Sequence, residues 1–156
     1  MNQSNTDVET ILEVFSVTTW ADGLSLEERK KFAGYLKFQV YPQGETILKE
    51  GTREAFMCII IVGRVNILKD DDYNKKKTLS SLGKGKSFGE MSLLDGEPRS
   101  ATVVASEITT VLRLTKESLL QLIKDDPALG AKLLLKLGKT LSQRLRLMDG
   151  KILAML

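Results

Sequence analysis

The sequence predicts an α+β, mainly β domain: short antiparallel strands closed into a sandwich or barrel, with helices at both ends. Three observations predict it. Between Phe38 and about Leu114, short runs rich in β-branched and aromatic residues alternate with turn residues. The segments on either side space their apolar residues three and four apart, as helices do. A length of 156 residues with 42% apolar content suits one domain with a core of its own. One domain, 1–156, is expected, made of an N-terminal helical segment (1–37), a β segment (38–115) and C-terminal helices (116–156).

Residues 1–6 are polar and expected to be loose. Val8, Ile11, Leu12 and Phe15 then have helix spacing. A second helix is predicted in "LSLEERKKFAGYL", where Ser25 and Glu28 make a capping box and Leu26, Phe32 and Leu36 sit among charges. Strands follow in "KFQVY", ended by Pro42-Gln43-Gly44, in "TILKEG", ended by Gly51, and in "FMCIIIVG", which turns at Gly63 into "RVNIL". A charged tip from Asp70 to Lys77 leads to "TLSSL"; after a loop come "ATVVAS" and "TTVLRL".

The helix "KESLLQLIKD" stops before Pro127, and a long helix runs from there toward the end. Its residues Leu134, Leu141, Met148 and Met155 fall seven apart, with Leu145 and Ile152 on the alternate row and Gly138 interrupting that row. This 4-3 spacing is that of a coiled-coil seam and predicts a homodimer through the C-terminal helix. The alternative is a helix that packs on its own β domain.

Composition excludes several functions. There is no histidine, so a histidine-based triad and a histidine-ligated haem or zinc site are ruled out, and one cysteine cannot hold an iron–sulfur cluster. That residue, Cys58, lies in an apolar run and reads as a buried free thiol. The formal charge of +3 is mild, with bases and acids interleaved, so no direct nucleic-acid binding is expected. No signal peptide or long apolar run appears, so a cytoplasmic protein with no membrane partner is expected. No nucleophile–base pair or metal set is present, and we expect no enzyme, no metal and no cofactor. "GKGKS" at 83–87 has the ending of a P-loop, but Ser80 stands where that motif needs glycine, and Phe88-Gly89 follows where it needs a helix. Lys84 and Lys86 therefore read as exposed turn charges.

"SFGEMSLLDGEPRSATVVA", residues 87–105, sets two charges among small and apolar residues. Gly89 lets the backbone approach something closely. A helical turn in "EMSLL" would leave N–H groups near Met91 and Ser92 unpaired, which suits an anion. Arg99 favours a phosphate or carboxylate, and ionised Glu90, an acceptor only, suits a hydroxyl pair. A sugar phosphate fits such a site. An internal Glu90–Arg99 ion pair is the structural alternative.

"FGEMSLLDGEPRSATV" resembles the phosphate-binding cassette of cyclic nucleotide-binding domains, a family of bacterial catabolite activators, kinase regulatory subunits and gated channels. "YPQGETILKEG" and "IIIVGRVNI" resemble the family's strand-and-glycine motifs, in the same order, and the likeness covers about Phe38 to Met148. It implies an eight-stranded antiparallel β-roll, jelly-roll-like, with N-terminal helices and a long C-terminal helix, binding cAMP or cGMP as ligand. It further implies that Glu90 binds the ribose 2′-hydroxyl. Arg99 would bind the cyclic phosphate, with backbone N–H groups around Met91, Ser92 and Ser100. Gly89 would keep the backbone close to the ribose, while Ile67 and Leu79 line the pocket with Ser80 beside them. The catabolite-activator branch carries a Thr-Ser pair on the long helix that contacts adenine. Here Met148-Asp149 follows the matching "QRL", so Met148, Asp149 and Arg144 are the base-side candidates, with Arg146 as another. The chain ends soon after the seam, leaving no room for a helix-turn-helix; a regulatory module, a β-roll with an empty or altered pocket that serves only dimerisation or docking, and a transcription-factor sensor part lacking its DNA-binding part all stay open.

Overall fold

The computed structural model describes the backbone of residues 5–155 and the side chains of residues 7–151. The first four residues lie outside it, and so do the side chains of Ile152 and Met155 from the predicted seam. The chain forms two compact units, Met1–Leu119 and Leu120–Leu156.

The first unit opens with helix α1 (Asn5–Ser16), a short 3-10 turn (Thr19–Ala21) and helix α2 (Leu26–Ala33). α1 packs on α2, with Phe15 and Phe32 meeting edge to face, ring centres 5.1 Å apart. The capping box at α2 is present in both directions: Ser25 Oγ accepts from the Glu28 N–H, and the Ser25 N–H donates to Glu28 Oε1. Leu26 is exposed while Phe32 and Leu36 are buried. Leu26 stands six positions before Phe32, which turns it about 120° off the inward face.

Eight strands follow among the described residues: β1 (Lys37–Tyr41), β2 (Thr46–Leu48), β3 (Phe56–Val62), β4 (Val65–Asp70), β5 (Lys76–Leu82), β6 (Ser87–Phe88), β7 (Thr102–Ala105) and β8 (Thr109–Thr115). They form two four-stranded sheets, ordered β1-β8-β3-β6 and β2-β7-β4-β5, in which every pair is antiparallel. This is the eight-stranded β-roll. Phe56, Cys58 and Ile60 of β3 belong to the core cluster, with Val65, Val103 and Val111 from other strands. Met57 and Ile59 alternate with them and are buried too, so β3 reads as one continuous apolar run instead of an alternating one.

Two elements differ from the sequence expectation. β6 is a two-residue strand inside what reads as loop; it pairs Cys58 with Phe88 and Ile59 with Ser87, and is too short to leave a periodic trace. The charged tip is also narrower than 70–77. β5 already pairs Asp70 with Lys76, and the turn is closed by Asp71 Oδ1, which accepts from the Tyr73 and Lys75 N–H groups at 2.9 Å each.

Helix α3 (Glu90–Asp95) stands between β6 and β7, and α4 (Lys116–Asp125) follows β8. The second unit is dominated by α5 (Pro127–Met155), which runs unbroken through Gly138. Asp126 caps it, Oδ1 accepting from the Leu129 N–H at 3.1 Å, and Pro127 takes a helical position that needs no N–H. Leu129, Leu133 and Leu137 are buried. Leu134, Leu145 and Met148 of the predicted seam are exposed and Leu141 is half-buried; Leu135 and Leu147, outside the seam, are exposed as well.

Candidate functional site

The site is built where β6 passes into α3. Gly89 makes the junction with φ +88°, a left-handed conformation that side chains resist. A Cβ at this position would lie 2.6 Å from the Phe56 carbonyl oxygen and 3.2 Å from Arg99 Nη1. Glycine is required here by both backbone conformation and space.

Glu90 opens α3 and is only 2% exposed. Its Oε1 accepts a hydrogen bond from Ser87 Oγ, three residues earlier on β6. Ser92 and Leu93 are buried, Met91 is exposed, and α3 packs on β3. The carboxylate is thus fixed by a strand and a helix whose own positions are set by the core.

Arg99 lies after the turn that follows Gly96. Its main chain is tied to the loop after β2: the Arg99 N–H donates to Thr52 O at 2.8 Å and the Gly51 N–H donates to Arg99 O at 2.9 Å. The side chain is 4% exposed. Nη1 donates to Gly89 O at 3.0 Å and Nη2 to Phe56 O at 2.8 Å. The guanidinium carbon lies 4.7 Å from the Phe56 ring centre, and Arg113 meets the same ring at 3.6 Å. Nε is buried with no hydrogen-bond partner. Both of these guanidinium hydrogen bonds therefore go to neutral carbonyls. Burial pulls its pKa below the usual range; the nearby Cys58, Glu54 and Glu90 oppose the fall and Arg113 adds to it. A buried cation without a bound counter-charge costs several kcal/mol, on the order of the desolvation penalty per ion. An arriving anion that accepts from Nε–H would offset that cost.

The remaining predicted residues are more dispersed. Ser100 is exposed, and its carbonyl accepts from Lys69 Nζ at 2.6 Å. Lys69 also pairs with Glu50 at 3.1 Å, whose second oxygen accepts from the Asp70 N–H. That backbone bond, then Lys69, holds the Glu50 carboxyl below its usual range. Ile67 of β4 is half-buried against the core and stands in register with Ser80 on β5 and Val103 on β7. Leu79 falls at the irregularity between the Ile67–Ser80 and Leu68–Thr78 pairs; Leu79 and Ser80 are exposed. Arg144, Met148 and Asp149 lie on α5, in the second unit, Arg144 half-buried and the other two exposed.

Three supporting residues were missed in the sequence. Ser87 had a local signal, its spacing of three before Glu90, masked by the lysines of "GKGKS". Lys69 and Phe56 had none, since they act on Ser100 and Arg99 from 31 and 43 residues away.

Residues 38–126 match the sequence model of the family described as "Cyclic nucleotide-binding domain". The chain is 36% identical over 121 residues to the cyclic AMP receptor protein of Thermus thermophilus, an alignment covering 78% of this chain and 56% of that protein. It is 37% identical over 100 residues to the cAMP-dependent protein kinase regulatory subunit of Debaryomyces hansenii, covering 64% of this chain and 21% of the relative. The chain thus spans about half the length of the first relative and about a fifth of the second. Among solved structures, a cyclic nucleotide-binding domain from Methylobacillus flagellatus superposes with a TM-score of 0.84 at 34% identity, covering 96% of this chain and 84% of that one. No helix among the described residues is long and apolar enough to cross a membrane.

Proposed function

This chain belongs to the cyclic nucleotide-binding domain family, and we propose that it is a sensor module whose cassette clasps a 3′,5′-cyclic mononucleotide. The observation that carries this is the buried Arg99 guanidinium with its unmet Nε–H. Arg99 takes the cyclic phosphate, helped by N–H groups of Met91, Ser92 and Ser100. Glu90, already aimed by Ser87, accepts from the ribose 2′-hydroxyl, and Gly89 leaves the backbone bare beside the sugar. Ile67, Leu79 and Ser80 border the ligand. The choice of purine is assigned to Met148-Asp149 and Arg144 of α5. Asp149 offers acceptors to the N–H groups of guanine, so exchange for Thr-Ser should raise the cAMP:cGMP affinity ratio. Nothing in this set attacks or transfers a group; the named relatives are a receptor and a regulatory subunit, and the role proposed here is regulatory, without catalysis or cofactor. The exposed leucines of α5 supply a homodimer seam through which ligand binding is passed on.

Calorimetric titration with cAMP and cGMP tests this. Saturable binding of at least one is expected, and Arg99→Ala should weaken it by about 2–5 kcal/mol, the cost of leaving a buried charge unpartnered. Glu90→Gln should cost less, because a neutral acceptor remains. No heat and no thermal shift at millimolar nucleotide would sink the proposal.

A further inference from the structure

The first unit holds a cleft of about 490 Å3 that none of the cassette residues lines. Val14 of α1, Val17 and the turn that follows form one wall, Ile60 and Val62 at the end of β3 form another, and Lys84 and Lys86 stand at the β5–β6 turn. The volume is that of a small-molecule site. None of the described lining residues is acidic, and among the described residues neither lysine is paired with a carboxylate. The turn that bears them is pinned to β3: the Gly85 N–H donates to Ile60 O at 2.7 Å and the Ile60 N–H donates to Lys86 O at 2.8 Å. The backbone that carries both lysines is therefore fixed beside an apolar trough instead of swinging as a loose loop. Their charge complements an anion, and the trough complements a hydrocarbon.

We infer that this cleft is a second ligand site, for a single-tailed anionic amphiphile such as a medium-chain carboxylate. The tail lies against Val14, Val17 and Val62, and the head is met by Lys84 and Lys86. The "GKGKS" stretch, which fails as a triphosphate loop, thereby acquires a use for its lysines. Binding here involves neither Glu90 nor Arg99 and stands whether or not the cassette takes a nucleotide.

Trp20 is the chain's one tryptophan; it is buried in the turn after α1, next to the cleft residue Thr19, and reports on occupancy. The test is a titration of the whole chain with sodium decanoate below its micelle concentration, followed by Trp20 fluorescence and amide chemical shifts. Saturable binding is expected, with shifts at the end of α1, the end of β3 and residues 84–86. Lys84→Glu with Lys86→Glu should weaken it at least tenfold, as should Val17→Asp, at a position 79% exposed and so outside the core. On the unaltered chain, decyl phosphate should bind like decanoate, while decanol and inorganic phosphate bind at least tenfold more weakly. Non-saturable binding, equal binding of decanol or inorganic phosphate, or unchanged affinity in folded variants would overturn the proposal. Binding to anionic vesicles without any binding of monomeric decanoate would overturn it too, in favour of a membrane surface.

Discussion

The cassette and helix α5 encode their structures in opposite ways. In the cassette each residue has a separate geometric role. Gly89 makes room, Ser87 aims Glu90, and the Gly89 and Phe56 carbonyls hold Arg99. In α5 one role is shared along a row. Leu129, Leu133 and Leu137 are buried, while Leu134, Leu135, Leu145, Leu147 and Met148 are exposed on the same helix. A site built from single atoms fails at single positions. A helix face fails only when several of its contacts go together.

The largest expected effect tests the helix. Leu141→Asp with Leu145→Asp should convert a dimer to a folded monomer in sedimentation, since each buried leucine contributes roughly 1.5–3 kcal/mol to an interface. An unaltered chain that is already monomeric at high micromolar concentration would leave the exposed row of α5 without the partner assigned to it.

A pair of glycines sharpens the contrast at intermediate size. Gly89→Ala places a Cβ against the Phe56 carbonyl in a left-handed conformation, which costs about 1–2 kcal/mol before any clash. That strain alone should lower its thermal midpoint by roughly 2–8 °C, and nucleotide affinity should fall with it. At Gly138 a Cβ would meet nothing within 4 Å, so Gly138→Ala should stabilise α5 by about 1 kcal/mol. Equal effects of the two substitutions in a melting experiment would erase the distinction.

The smallest effect at neutral pH concerns the core beneath the cassette. Burial pushes the Cys58 thiol from its usual 9.0 up to about 12. The native state thus favours the neutral thiol. The stability this contributes is complete below the unfolded value near pH 9 and is lost as pH rises toward 12. Tyr41, also raised by burial, adds the same sign. Denaturant midpoints should decline over that interval, less steeply in Cys58→Ala, and the native thiol should resist alkylation at neutral pH. Rapid labelling of the folded chain would contradict the buried, neutral thiol.

The same contrast explains what could be read from the sequence. The strand runs, the Ser25–Glu28 box, the helical turn at Glu90 and the stop before Pro127 were legible because each rests on neighbours within a few residues. β6 was not, because two residues carry no period. The hold of Phe56 on Arg99 was not, because a backbone carbonyl is the same for every residue type and the link spans 43 positions. On α5 the 4-3 spacing identified a face, but spacing does not say what covers it. Leu135 and Leu147 stay exposed outside the row, and Leu129, Leu133 and Leu137 form a buried row that the seam pattern did not single out.

The central claim is that the unmet donor of Arg99 waits for the cyclic phosphate. The direct measurement is a proton–nitrogen correlation spectrum of the arginine Nε–H groups, with Arg99 assigned by the loss of one peak in Arg99→Lys. At saturating cyclic nucleotide the Arg99 peak should move strongly downfield in the proton dimension, as a new charge-assisted hydrogen bond requires. A peak that stays in place while calorimetry shows the nucleotide bound would mean that the phosphate is held elsewhere.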